Sequence, residues 1–178
     1  MKTLIVYFSH TGSNALLAHN LSKLMPDSDT LEIKAKGNRK EFSIFLDLLF
    51  NRNPAVVYPP VDWENYSRVI ICSPVWNYMV AHPMRSFLRA EKNNFPEYVF
   101  ITLCSGREEQ QHKLENQLMD VLGKKPLFVH QMLQSSFLEN KNIESMKNSG
   151  LEQKNFDAHI DLLHDVVLRL ERESTKKD

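Results

Sequence analysis

The chain has 178 residues, with 22 Lys plus Arg against 22 Asp plus Glu and a formal net charge of zero. That length suits one domain of about 100–200 residues with its own core. Without a basic field neither nucleic acid nor an anionic membrane surface is expected as a partner. The two cysteines, Cys72 and Cys104, are too few for a disulfide framework, and both lie in apolar runs, as reduced thiols do. The apolar start, Met1 to Phe8, is too short for a signal peptide, and no run nears the ~20 residues of a membrane span, so a cytoplasmic protein is expected.

In chain order, Leu4–Phe8 is a continuous apolar run, the pattern of a strand buried on both faces. Leu17, Leu21 and Leu24 recur at helical spacing, and Pro26 stops that helix. Thr30–Ile33 reads as a second strand. Phe42–Phe50 reads as an apolar helix, either in the core or as a flap. Val69–Cys72 is the clearest central strand, after which Pro83 opens a helix with Met84, Phe87 and Leu88 on one face. Val99–Leu103 is the fourth strand. Leu114, Leu118, Val121 and Leu122 mark the next helix, with Gly123 at its C-terminal cap. Leu127–Met132 is the last strand, and Phe156, Ile160, Leu163, Val167 and Leu170 mark the final helix, with 172–178 as a frayed tail. Strands and helices that alternate in this way predict an α/β domain spanning 1–178, its parallel sheet covered on both faces. Ligands of such sheets bind beyond the carboxyl ends of the strands. The loops that matter are therefore Ser9–Asn14, Ser73–His82 and Cys104–Glu109.

Ser9-His10-Thr11-Gly12-Ser13-Asn14 is rich in neutral hydrogen-bonding side chains and contains no Lys or Arg. Gly12 permits a tight turn and close backbone approach. The helix behind it supplies unpaired N–H groups and a positive dipole end, which together make a phosphate site. The structural alternative is a plain helix start with Ser13 in a capping role. In the second loop, Pro74-Val75-Trp76-Asn77-Tyr78, two aromatic faces flank an amide. Trp76 and Tyr78 can wall a planar ring, and Asn77 can read a heterocycle's polar edge.

The first loop resembles the phosphate-binding loop of the flavodoxin family, Thr/Ser-x-Thr-Gly-x-Thr, at every position except the last, where Asn14 replaces Thr. The resemblance implies a flavodoxin-like three-layer α/β/α sandwich, its five-stranded parallel sheet in the order 2-1-3-4-5, with FMN as cofactor. Pro74–Tyr78 and the following Met84–Leu88 are similar to a segment of FMN-dependent quinone reductases and azoreductases, in which such a loop lies against the isoalloxazine. By the same resemblance Cys104, Ser105 and Gly106 meet the polar edge of the ring. Two redox readings follow. An electron carrier would work through bound FMN with a redox partner protein, as a monomer. An enzyme would take hydride from NAD(P)H and pass it to a small quinone-like acceptor, commonly as a homodimer. A binding module that keeps the fold without redox activity is the third reading.

Other families that share this strand order are excluded by their own chemistry. A receiver needs a phospho-acceptor Asp where this chain has Ser73, and neither cysteine has an Arg six residues on, as a phosphatase would. The five glycines form no Gly-x-Gly-x-x-Gly cluster. His82 is expected to face solvent before Pro83, the alternative being that it faces the flavin and hydrogen-bonds a substrate carbonyl. His159 and His164 are expected on the surface of one helix, about 140° apart. Cys72 and Cys104 are read as buried structural thiols, a redox pair being the alternative.

Overall fold

Alternation of side chains along each strand divides the core in two. Leu4, Val6 and Phe8 share one face of the sheet with Val69, Ile71 and Phe100. Ile5 and Tyr7 point the other way with Ile70, Cys72, Val99 and Ile101. A strand apolar at every position can only be satisfied by cover on both sides. The structure, a computed structural model, describes residues 2–37, 54–104, 110–138 and 151–175. The expected Phe42–Phe50 helix and the loop residues Ser105 and Gly106 lie outside the described residues.

The strands are β1 (Lys2–Tyr7), β2 (Ser28–Glu32), β3 (Lys34–Ala35), β4 (Val56–Val57), β5 (Tyr66–Cys72), β6 (Val75–Trp76), β7 (Met79–Val80), β8 (Glu97–Cys104) and β9 (Val129–Leu133). The helices are α1 (Ser13–Leu24), α2 (His82–Glu91), α3 (Gln111–Leu122), α4 (Gln153–Ala158) and α5 (Ile160–Thr175). The main sheet has five parallel strands in the order β2-β1-β5-β8-β9, which is the expected 2-1-3-4-5. Ile5 lies opposite Ile70, and Ile70 opposite Val99, so the three inner strands stack their apolar sets in register. Met84, Phe87 and Leu88 of α2 and Leu114, Leu118 and Leu122 of α3 cover one face. Leu17, Ala18 and Leu21 of α1, with Phe156, Leu163, Val166 and Leu170, cover the other. Each such side chain, fully buried, contributes about 1.5–3 kcal/mol from water exclusion.

Two small antiparallel ribbons were not predicted: β3 with β4, and the β6–β7 hairpin. Runs of two residues carry no periodicity to detect. The final helix is also two helices. Glu152 and Asn155 form a reciprocal capping box at the start of α4, and His159 ends it with φ −128° and ψ 34°. The break seats Phe156 against Phe137, ring centroids 5.0 Å apart, and it sets the phase of α5 so that Val166 is buried in full and Val167 only in part.

Candidate functional site

β1 delivers the chain to the carboxyl edge of the sheet, where the Phe8 N–H donates to Cys72 O at 3.0 Å. The chain then turns through Gly12, whose φ of 92° lies in the left-handed region, with no atom within 4 Å of where a Cβ would stand. Glycine is therefore needed for its backbone and not for lack of space. Gly12 occupies the cap position of α1, and no side chain caps the helix. The first-turn N–H groups keep their donors and their positive dipole end for a ligand.

The structure corrects two side-chain roles here. Ser13 does not cap the helix: it is fully buried, and its Oγ accepts from the Leu151 N–H at 2.9 Å. Asn14 is buried as well. Its Nδ2 donates to Leu103 O at 3.3 Å and its Oδ1 accepts from the Leu103 N–H at 3.1 Å. The amide meets the two backbone groups with two atoms set side by side, whereas a threonine would have to make both bonds from one oxygen on a shorter side chain. Ser9 Oγ is buried with no hydrogen-bond partner among the described residues, and His10, Thr11 and Gly12 are exposed.

In the second loop, β6 and β7 pair through Trp76–Met79 and Val75–Val80, leaving Asn77 and Tyr78 as a two-residue turn. Both have positive φ, 48° and 63°. Hairpin turns of this length favour such angles, but Gly is the usual residue at the second position. A Tyr held there, 47% exposed, is local strain of the kind that gathers at functional sites. Gln117 of α3 braces the turn: its Nε2 donates to Tyr78 O at 2.8 Å and its Oε1 accepts from the Val80 N–H at 3.2 Å. Lys113 Nζ stands 4.9 Å from the centre of the Tyr78 ring. Trp76 meets Phe8 edge to face at 5.8 Å and His10 at 6.0 Å, so the two loops expected to form one site do meet. Pro74 and Val75 are half-buried beneath them.

At the end of β8, Cys104 is 6% exposed, and Gln131 Nε2 lies 3.9 Å from its Sγ. Thr102 Oγ1, Gln110 Oε1 and Gln131 Oε1 are buried without partners among the described residues. None of these three, nor Gln117, was singled out from sequence. Gln117 precedes Leu118 on the predicted helix, and nothing local marks it as a brace. Asn77 did carry a signal for its turn, since Asn tolerates positive φ better than most residues.

The remaining histidines and cysteines resolve simply. His82 is completely buried at the start of α2, not solvent-facing; it directly follows the β6–β7 hairpin, whose base is closed where Ala81 N–H donates to Pro74 O at 3.1 Å. His159 sits in the bend between α4 and α5, its Nδ1 3.0 Å from Asn155 O, so it does not share a helix with His164. No group of three or more metal-ligating side chains occurs among the described residues. Cys72 lies opposite Ile101, and Cys104 is three residues further, about 10 Å along the strand. Disulfide geometry needs Cα atoms within about 7 Å, and burial pushes the Cys72 thiol's pKa up, so these are structural thiols and not a redox pair.

A five-stranded parallel sheet in this order between two helical layers, with the loops after β1 and β5 meeting at its carboxyl edge, is the flavodoxin-like fold. No protein-family model matches the sequence, and no curated protein matches it. Solved structures do. The chain is similar to a flavoprotein from Lactobacillus acidophilus NCFM in complex with FMN, at 21% identity and TM-score 0.60, over 76% of this chain and 94% of that one. It is similar to a candidate flavoprotein of Bacteroides eggerthii DSM 20697, at 16% identity and TM-score 0.62, over 92% and 98%. A flavodoxin from the domain Archaea aligns at 13% identity and TM-score 0.51, over 96% and 99%. At these identities the likeness is one of fold. No helix among the described residues is long and apolar enough to cross a membrane.

Proposed function

We propose that the chain binds FMN between the Ser9–Asn14 loop and the β6–β7 hairpin, and passes electrons to a redox partner protein through it. The observation that carries this reading is the junction of the two loops, where His10 and Trp76 meet ring to ring at 6.0 Å. A ligand with a phosphate at one end and a flat ring at the other suits that junction, and the L. acidophilus flavoprotein of the same fold is in complex with FMN.

The residues present fit the group. Ser9 and Thr11 offer hydroxyls to a phosphate, His10 a ring N–H, and Gly12, Ser13 and Asn14 their backbone N–H groups at an uncapped helix start. Pro74 and Val75 support the aromatic wall of Trp76 and Tyr78, and Asn77 offers an amide to the ring's polar edge. Cys104 at the end of β8 is the third contributor, and by the resemblance Ser105 and Gly106 belong with it. Bound FMN supplies electron transfer in single or paired steps. The chain's own residues bind and orient it: the rigid turn at Asn77 and Tyr78 fixes the wall, and Gln117 holds the turn.

The test is an absorbance titration with FMN, followed by NADPH under anaerobic conditions. A carrier should show the bound-flavin band near ~450 nm, unchanged by NADPH alone and bleached once a reductase is added. Bleaching by NADPH alone would make the protein an NAD(P)H-dependent oxidoreductase. Failure to bind FMN would overturn the proposal.

A further inference from the structure

A second concavity, of about 510 Å3, lies between α2 and α3 against β7, and the proposed FMN site uses none of its charged residues. Three cations line it. Arg85 and Arg89 lie one turn apart on α2, and Lys92 follows three residues later, so all three share one helix face. Arg85 is buried, at 9% exposure, whereas Arg89 and Lys92 are exposed. Among the described lining residues a single carboxylate, Asp120 of α3, stands against the three cations. Among the described residues neither Arg89 nor Lys92 takes part in an ion pair.

Like charges one turn apart repel, and repulsion grows when one of them leaves water. Burial first, and then the neighbouring Arg89, hold the Arg85 pKa below its usual range. The remaining wall is apolar or neutral. Met79 Sδ lies 4.0 Å from Arg85 Nη1, Val121 is half-buried opposite, and the Gln117 amide is already committed to the hairpin backbone. Guanidinium groups in pairs are well suited to the two or three oxygens of a carboxylate or phosphate. The volume falls within the ~300–1,000 Å3 of small-molecule pockets.

We propose that this cavity binds an organic oxyanion, its phosphate or carboxylate held between Arg85, Arg89 and Lys92 and its apolar body against Met79 and Val121. The inference does not depend on what the cleft between the loops binds, because Arg89, Lys92 and Asp120 have no part in that cleft. The test is calorimetry on the full chain at fixed ionic strength, with phenyl phosphate, benzoate and inorganic phosphate as probes. Phenyl phosphate or benzoate should bind with sub-millimolar Kd, and more tightly than inorganic phosphate; whichever is tighter identifies the oxyanion. Arg89→Gln, an exposed change compatible with folding, should weaken the tighter probe about tenfold or more. Asp120→Asn should strengthen it by about twofold, since it removes a repelling charge. Absence of binding by both organic probes, equal affinity in wild type and Arg89→Gln, or inorganic phosphate binding as tightly as the organic probes would overturn the proposal.

Discussion

Replacing Tyr78 by Gly and, separately, by Ala isolates the strain in the aromatic turn. Both changes remove the ring and its contact with Lys113, so those losses cancel between the two variants. What remains is the backbone: Tyr78 has φ 63°, where a residue with a Cβ is disfavoured by about 1–2 kcal/mol. Against this, glycine gives the unfolded chain more freedom, worth about 0.4–1 kcal/mol. The Gly variant should therefore be the more stable of the pair by about 0.8 kcal/mol, a Tm difference of about 2–3 °C for a chain of this size. Val57 in β4 is 54% exposed and provides the control, since it lies in an ordinary strand. There the sign should reverse, with Ala ahead of Gly by about 0.5–1 kcal/mol. Differential scanning calorimetry on the four variants reads both differences. A Tyr78→Ala variant as stable as Tyr78→Gly, or more so, would refute the assignment of strain to this turn.

Asn14→Leu leaves the buried N–H and C=O of Leu103 without partners, and should lower stability by about 2–4 kcal/mol in urea unfolding. Asn14→Thr, which restores the family's hydroxyl, should also lose stability, because a single oxygen on a shorter side chain cannot align with the Leu103 N–H and C=O as well as the two amide atoms do. Trp76→Ala should weaken FMN binding about two- to tenfold, read by flavin fluorescence, since an aromatic contact of this kind is worth about 0.5–1.5 kcal/mol; unchanged affinity would place the ring elsewhere. At high pH, burial and the bond to Glu91 push the Tyr58 pKa up to about 12, and burial raises those of Tyr66 and Tyr98 as well. The folded chain then holds these phenol protons more tightly than the unfolded one, where they leave near pH ~10. The urea midpoint should accordingly be steady below that pH and fall as pH rises towards 12, with a shallower fall in Tyr58→Phe.

Much of the architecture is written locally. Five apolar runs flanked by helical periodicities are enough for a parallel sheet with cover on both sides, because a strand with no polar face has no other stable environment. The order of those strands and the positions of the first two site loops were also legible, through the match of Ser9–Ser13 to a known phosphate loop and the aromatic cluster around Asn77. The side-chain roles were not. Ser13 and Asn14 read as ligand donors, yet their polar atoms serve Leu151 and Leu103, residues 138 and 89 positions away. His82 reads as exposed from its place before Pro83 yet is fully buried, and His159 reads as mid-helix although the helix breaks there and Phe156 packs on Phe137. The cationic cavity needs α2 and α3 side by side before its charges share a space. Local sequence sets which stretches bury which face, since that depends on periodicity within a few residues. Partners for a buried hydroxyl, amide or guanidinium come from segments far along the chain, so only the packed tertiary structure decides what each polar group in the site is free to do.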